Sequence, residues 1–379
     1  MIVTVTPNPA LDLTWHVEKI VPGGTHRADA GAARAGGKGL NVARVAHAAG
    51  ADVVAVTTVG GATGDEFAAE LTAAGVPAVL VPVVAATRRS IALVDEALGD
   101  TTIVNERGIA PTDAEWDALR RAVAEALASP APERAQSSPA PARALASPAP
   151  ERALASPAPE RAQRDEGRPV LVISGSVPPG TPEDLLPSLI ALGREAGATV
   201  IADTSGPALL RAADAGADVL KPNAAELAEA TGIADPIDGA RELLRRGASL
   251  ILLSRGAEGM LAVSAGGGSA GDHGSSEPSS AGPAATHRGE DISSVVSDDL
   301  LVVSARLPEA LAGNPTGAGD AAVSAAAVLL ASGIRDPEAI LRRATAWSAA
   351  AVLMPLAGDI HPSWPELEAA VIIERTDIA

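Results

Sequence analysis

The sequence predicts an α/β fold in which one mostly parallel sheet is sandwiched by helices, with a small antiparallel β-sheet projecting from it as a lid. Three observations carry this prediction. Short, β-branched and nearly continuous apolar runs alternate with helix-length segments, as expected of strands buried on both faces. Three further segments alternate apolar and polar residues, the pattern of strands with one wet face. Two low-complexity stretches account for the length beyond what one such domain needs, so the 379 residues read as a single domain.

In chain order, strands are expected over residues 2–6, 53–58, 170–174, 199–203, 219–221 and 250–254, with a final neighbouring pair beginning at Gly259 and Leu300. Helices fit 40–49, 65–74, 113–128, 182–196, 224–231, 237–246, 318–331 and 337–353. The wet-faced segments are 12–20, 88–94 and 101–105, so the lid is drawn from about 12–34 and 88–106. Residues 126–161 hold four tandem nine-residue units: Ala-Leu-Ala-Ser-Pro-Ala-Pro-Glu-Arg begins at 126, 144 and 153, with a diverged copy at 135. Two prolines per unit forbid a regular helix or a central strand. The insertion over 129–167 is therefore expected to be a disordered, solvated excursion, and the Gly/Ser-rich stretch over 265–297 a disordered enlargement of the last hairpin.

Composition narrows the function classes. A net charge of −18 argues against nonspecific nucleic-acid binding, which depends on Lys and Arg neutralising phosphates. With no Cys, a thiol nucleophile, a disulfide framework and a thiolate metal site are excluded. The N-terminus lacks a signal-peptide pattern and no apolar run reaches membrane-spanning length, so a cytoplasmic protein without a membrane partner is expected. Aromatics make up 1% of the chain, which leaves Val, Leu, Ile and Ala to build the core. Of only three lysines, Lys38 and Lys221 fall inside glycine- or proline-punctuated motifs.

Three motifs carry chemistry. Gly313-Asn-Pro-Thr-Gly-Ala-Gly-Asp320 opens directly into an Ala-rich helix. Backbone N–H groups of Gly317, Ala318 and Gly319 can there face an anion at a helix N-terminus, with the Asp320 carboxylate beside it to deprotonate an attacking hydroxyl. The plain alternative is that Thr316 or Asp320 merely caps the helix. Gly36-Gly-Lys-Gly-Leu-Asn41 has neither the P-loop nor the Rossmann spacing. It can still bring Lys38 and Asn41 against a polyhydroxylated anionic ligand, or be a glycine turn. In Lys221-Pro-Asn-Ala-Ala-Glu226, Asn223 and Glu226 can form a capping box or hold water around Mg²⁺ near nucleotide phosphates.

In this order the motifs resemble those of the PfkB, or ribokinase-like, family of sugar kinases, whose terminal signature carries a Gly-Ala-Gly-Asp like Gly317 to Asp320. The likeness extends to Thr6-Pro-Asn-Pro-Ala-Leu-Asp12, Thr87-Arg88, Ser174-Gly-Ser-Val-Pro-Pro-Gly180, Asp203-Thr-Ser-Gly206 and Ser254-Arg-Gly-Ala-Glu-Gly259. It is greatest to the branch acting on sugar phosphates, the 1-phosphofructokinases and tagatose-6-phosphate kinases. The resemblance implies a ribokinase-like fold, ATP with Mg²⁺, and Asp320 as general base beside the backbone of Gly317, Ala318 and Gly319. It implies that Asp12, Gly37 and Asn41 grip sugar hydroxyls, and that Arg27, Lys38 and Arg88 face the phosphate already on the substrate. Lys221, Asn223, Glu226, Ser254 and Gly256 would line the nucleotide side, with Glu226 meeting Mg²⁺ through water.

Relatives acting on fructose 6-phosphate often have glycine where Lys38 stands, so fructose 1-phosphate converted to fructose 1,6-bisphosphate is the expected reaction. Arg255 stands where many relatives have Leu, and Asn314-Pro-Thr where Ser-Thr-Val is frequent in 1-phosphofructokinases, while an Asn-Pro there also occurs in tagatose-6-phosphate kinases. Tagatose 6-phosphate and fructose 6-phosphate are therefore the alternative acceptors. A sugar-phosphate-binding regulator without catalysis is the alternative of another class. An adenine pocket of aliphatic side chains is expected from the scarcity of aromatics, and the lid leaves room for a homodimer formed through it.

Overall fold

The computed structural model describes residues 1–129, 167–266 and 299–378. The proline-rich insertion and the Gly/Ser-rich loop lie outside the described residues except at their margins.

The fully buried strand β1 (Ile2–Thr6) sits inside a sheet that binds helices on both faces. Its Ile2 joins one apolar layer, whereas Val3 and Val5 join the other. The remaining strands of this sheet are β4 (Val53–Val59), β5 (Ala78–Pro82), β8 (Val170–Ser174), β9 (Thr199–Asp203), β10 (Val219–Leu220), β11 (Leu250–Ser254), β12 (Met260–Ala265), β13 (Leu300–Arg306) and β14 (Ile372–Ile378). Their order is β14-β13-β12-β11-β10-β9-β8-β1-β4-β5. Pairing is parallel from β11 to β5 and antiparallel across β11, β12, β13 and β14.

Helices α1 (Lys38–Ala48), α2 (Gly61–Ala73), α8 (Ala318–Ala331) and α9 (Pro337–Val352) bury Leu40, Phe67, Val323 and Trp347 against one face. On the other face lie α3 (Asp113–Ala128), α4 (Leu185–Glu195), α5 (Pro207–Asp214), α6 (Ala224–Thr231) and α7 (Pro236–Arg246). They bury Trp116, Leu189, Leu209, Leu227 and Leu243. Each such side chain contributes on the order of 2 kcal/mol by leaving water. A short α10 (Trp364–Ala370) packs edge-on to Trp347 through Trp364, with ring centroids 5.8 Å apart.

The lid is a four-stranded sheet in the order β3-β2-β6-β7, from β2 (Ala10–Val17), β3 (Ala32–Gly36), β6 (Arg88–Asp95) and β7 (Asp100–Asn105). Its outer pairs are antiparallel. The central pair β2–β6 runs parallel, which the sequence did not indicate. That pair is separated in the chain by β3, α1, β4, α2 and β5, so it is closed through the main sheet rather than by a hairpin turn. Arg44 of α1 roots the lid: it pairs with Glu70 of α2 and donates to Ala35 O at 3.1 Å, while Glu70 accepts from Ala35 N at 2.8 Å.

The elements to which the sequence reading gave no segment of their own are β3, which falls at the margin of the expected lid range 12–34, and β5, β14, α5 and α10. β5 and β14 are the two edges of the sheet. Half-exposed strands such as Ile-Ile-Glu-Arg-Thr-Asp-Ile lack the continuous apolar run of a covered one. The two helices are eight and seven residues long, too short for a clear period.

Candidate active site

The C-terminal ends of β9, β10 and β11 open on one side of the sheet, where crossover geometry leaves a crevice in parallel folds. A cleft of about 680 Å³ lies there, roofed by the root of the lid and floored by the N-termini of α1 and α8. It is lined by Asp12, Gly37, Lys38, Asn41, Arg88, Lys221, Asn223, Glu226, Ser254, Gly256, Gly317, Ala318, Gly319 and Asp320. Every site residue expected from the sequence except Arg27 is thus brought to one cavity.

Arg27 is exposed in the connection over 18–31, between β2 and β3. That connection is at the far end of the lid, because Ala10 pairs with Gly36 at the root and Thr14 with Ala32 further out. Arg27 is not among the residues that line the cleft of this chain.

The Asp320 carboxyl is buried in the first turn of α8 and accepts a hydrogen bond from Asn41 Nδ2 at 2.8 Å. Burial and the neighbouring charge of Asp203 push its pKa up to about 7, against the pull of Asn41, Lys38 and Lys221. Capping does not explain it: the N-cap position is Gly317, in the left-handed region at φ 87°, and no side chain caps the helix. A side chain at Gly317 would also crowd Ala357 at 2.8 Å. Ala318 N–H donates to Pro315 O at 3.2 Å, a turn contact the motif did not reveal.

Asp12 sits at the lid root, where its carboxylate occupies the space a Cβ on Gly36 would need. Burial raises its pKa to about 6, with Arg88, Arg34 and Arg44 opposing. Arg88 donates to the carbonyls of Asn8 and Glu106 at 3.1–3.3 Å, which hold its guanidinium at the edge of the cleft. Arg34, opposite Asp12 in register, makes a two-pronged pair with Asp359 at 2.8 and 3.0 Å. It thereby ties the lid to the loop after α9.

On the other side, Asn223 and Glu226 form the capping box of α6: Glu226 N donates to Asn223 Oδ1 at 2.8 Å, and Asn223 N to Glu226 Oε2 at 2.9 Å. One Glu226 oxygen is thus engaged by its own helix. Asn223 bridges to Ser254 across the strand ends. Gly256 turns away at φ 59°, with nothing within 4 Å of where a Cβ would stand. Met260, Leu307, Leu311, Ala349 and Val352 supply an aliphatic wall.

These features fit a nucleotide: small residues allow backbone approach to phosphates, and apolar walls can cover a base. Among the described residues no cluster of three or more His, Cys, Asp or Glu could hold a metal ion. The donors present suit a Mg²⁺ that keeps most of its waters and rides on substrate phosphates.

One central residue was quoted in the sequence without a role. Asp203 ends β9, and its carboxylate accepts from Ser174 Oγ at 3.0 Å while lying 3.3 Å from Lys221 Nζ and 3.6 Å from Lys38 Nζ. A charged residue closing the fully buried run Thr-Val-Ile-Ala-Asp was the available signal. Lys38, expected at the substrate's own phosphate, is drawn to Asp203, whose charge above all raises the lysine pKa.

Comparison with known proteins agrees with this geometry. The family described as "pfkB family carbohydrate kinase" matches residues 8–156 and 163–278. A 1-phosphofructokinase of Xanthomonas campestris pv. campestris is 30% identical over 358 residues, 91% of this chain and 89% of that protein. A 1-phosphofructokinase of Haloferax volcanii is 34% identical over 269 residues, 69% of this chain and 73% of its own. Phosphofructokinase-2 from Escherichia coli in complex with fructose-6-phosphate superposes with a TM-score of 0.71 at 25% identity, covering 97% of this chain and 98% of that one.

Proposed function

The chain belongs to the pfkB family of carbohydrate kinases, and from that premise we propose that it transfers the terminal phosphoryl of ATP to the 6-hydroxyl of fructose 1-phosphate, giving fructose 1,6-bisphosphate and ADP. The observation that carries the chemistry is the buried Asp320 carboxyl, held by Asn41 at the head of α8 inside the cleft. The 1-phosphofructokinases similar to this chain support the acceptor.

In this reading Asp12, Gly37 and Asn41 bind sugar hydroxyls, and Arg88 meets the phosphate already on the sugar with its planar fork. Lys221, Asn223, Ser254 and Gly256 line the ATP side. Mg²⁺ on the nucleotide phosphates would neutralise developing charge, with Glu226 reaching it through water. Asp320 takes the hydroxyl proton as the sugar oxygen bonds to the γ-phosphorus and ADP leaves with the bridging oxygen. Backbone N–H groups of Gly317 and Gly319 face the charge that spreads over the transferring oxygens. Closure of the lid excludes water, so ATP is spent on the sugar rather than hydrolysed.

A base must be ionised to act. With Asp320 titrating near 7, kcat/KM should fall about tenfold per unit as pH drops below that value. A profile flat from about pH 5 to 8 would remove Asp320 from the role.

Fructose 6-phosphate is the second acceptor, favoured by two observations: a solved neighbour binds it, and Lys38 is engaged by Asp203. ADP release measured with fructose 1-phosphate, fructose 6-phosphate and tagatose 6-phosphate should give the highest kcat/KM for the first. Binding of all three without turnover in the presence of ATP and Mg²⁺ would make the chain a sugar-phosphate sensor instead. Exposed Ile103 and Val104 on β7 support a homodimer formed through the lid. Sedimentation should then show a dimer at working concentration, whereas a monomer throughout would remove it.

A further inference from the structure

At the meeting point of the sugar and nucleotide sides, two lysines converge on one carboxylate. Asp203 is almost wholly buried, with Lys221 Nζ 3.3 Å from one oxygen and Lys38 Nζ 3.6 Å from the other. The Ser174 hydroxyl donates to the oxygen on the Lys38 side at 3.0 Å. Burial works against the charged form of Asp203, yet Lys221, Lys38 and Ser174 outweigh it and hold the carboxyl below its ordinary range. The lysines differ in exposure, the Lys38 side chain being 43% open to solvent at the cleft and that of Lys221 5%. Lys221 Nζ lies 3.1 Å from where a Cβ on Gly319 would stand, against the head of α8. Lys38 begins α1, the helix that also carries Asn41, and its ammonium is in the field of Asp203, Asp320 and Glu226.

We infer that Asp203 is the positioning residue of the transfer centre: it clamps the Lys38 and Lys221 ammonium groups at the head of α8, where both meet the phosphoryl in flight. Lys38 therefore serves the transfer rather than the phosphate already on the sugar. The inference rests on the kinase reading above and adds two protein cations to the backbone donors and Mg²⁺ which that reading gave to the step. Two ammonium groups fixed by one buried carboxylate need no reorganisation when charge spreads over the transferring oxygens. Asp203 has a second effect on the same centre. The charged and polar groups facing Asp320 are Lys38 and Asn41 from α1, Asp203 from β9 and Lys221 from the start of the β10–α6 connection. Of these only Asp203 is negative, so it keeps the base basic between two lysines that would acidify it.

Asp203→Asn preserves shape and an acceptor for Ser174 while removing the charge. Turnover should fall by about 10²-fold, the scale for losing one preorganised charge-stabilising group, with KM for the sugar phosphate unchanged within about twofold of wild type. The acid limb of kcat/KM should move to lower pH, and ¹³C carboxyl NMR of ligand-free protein should show Asp320 titrating lower by the same amount. Lys38→Met should likewise lower kcat and leave that KM alone.

A raised sugar-phosphate KM with near-normal kcat in Lys38→Met would overturn the inference and make Lys38 an anchor. Recovery of Asp203→Asn by higher free Mg²⁺ would overturn it in favour of a metal ligand. If wild type turns over none of the sugar phosphates, the kinase reading fails on its own. The Asp320 titration is still read without substrate, and no shift in Asp203→Asn refutes the clamp. Should Asp203→Asn fail to fold by circular dichroism, the kcat-against-KM split of Lys38→Met decides.

Discussion

Asp320→Asn should lower kcat by roughly 10²-fold or more, the scale of a lost general base, while the sugar phosphate and ATP still bind. The asparagine keeps an oxygen for Asn41 Nδ2 and the volume of the buried carboxyl, so the cleft has no cause to collapse. Isothermal titration in the absence of turnover reads the binding, and coupled ADP release reads the rate. Near-normal turnover would show that the carboxylate takes no proton. The same variant carries a stability signature. Asp320 ionises near 7 when folded against an ordinary value of 3.8, so the folded chain loses stability as pH rises through that interval. The neutral amide escapes the loss. Asp320→Asn should therefore melt above wild type at about pH 8, with the gap narrowing as pH falls toward about 4. A variant that is both inactive and more stable is what an active-site carboxylate held against burial predicts.

The largest loss of stability is expected from Glu70→Ala. Arg44 has a side chain only 6% exposed, and Glu70 is its carboxylate partner as well as the acceptor for Ala35 N. Removing the acid leaves the buried guanidinium without its counter-charge and the Ala35 N–H without its acceptor, which costs about 3 kcal/mol. Urea unfolding should show a lower midpoint at unchanged slope. Because the pair is expensive to desolvate, Arg44→Met combined with Glu70→Leu should recover much of the loss. A double variant as unstable as Glu70→Ala would show that the ion pair itself, and not the unpaired charge, stabilises the lid root. Glu70→Gln, which keeps the acceptor for Ala35, should fall between.

Much of the architecture was legible because burial on both faces leaves a signature in composition. Runs such as Ile2–Thr6, Val170–Ser174 and Thr199–Asp203 are bounded as expected, since nothing but a covered strand needs every position apolar or small. The helices of 318–331, 224–231 and 113–128 keep the bounds expected of them, and the last two begin at side-chain caps. Thr112 with Glu115 and Asn223 with Glu226 are boxes readable in the chain. The edge strands and the parallel β2–β6 pair were not legible, because partner choice at an edge follows from the path of intervening segments and leaves little trace in local pattern.

At the site, the sequence by itself determined the inventory: the glycine turns, the base candidate, the two lysines and the family to which they point. Residue type and spacing suffice for that, because a helix head with Gly317 and Asp320 can be read from eight residues. Only the tertiary structure decided who faces whom. Asp203 and Lys38 are 165 positions apart in number yet share an ion pair, and Arg27, ten residues upstream of Gly37, is not among the residues that line the cleft. The physical reason is that Coulombic partners are chosen by strand order and burial. Strand ends brought to one edge of the sheet desolvate Asp203 and Asp320 together, and that shared burial, absent from any local stretch of chain, sets which carboxyl stays charged and which becomes a base.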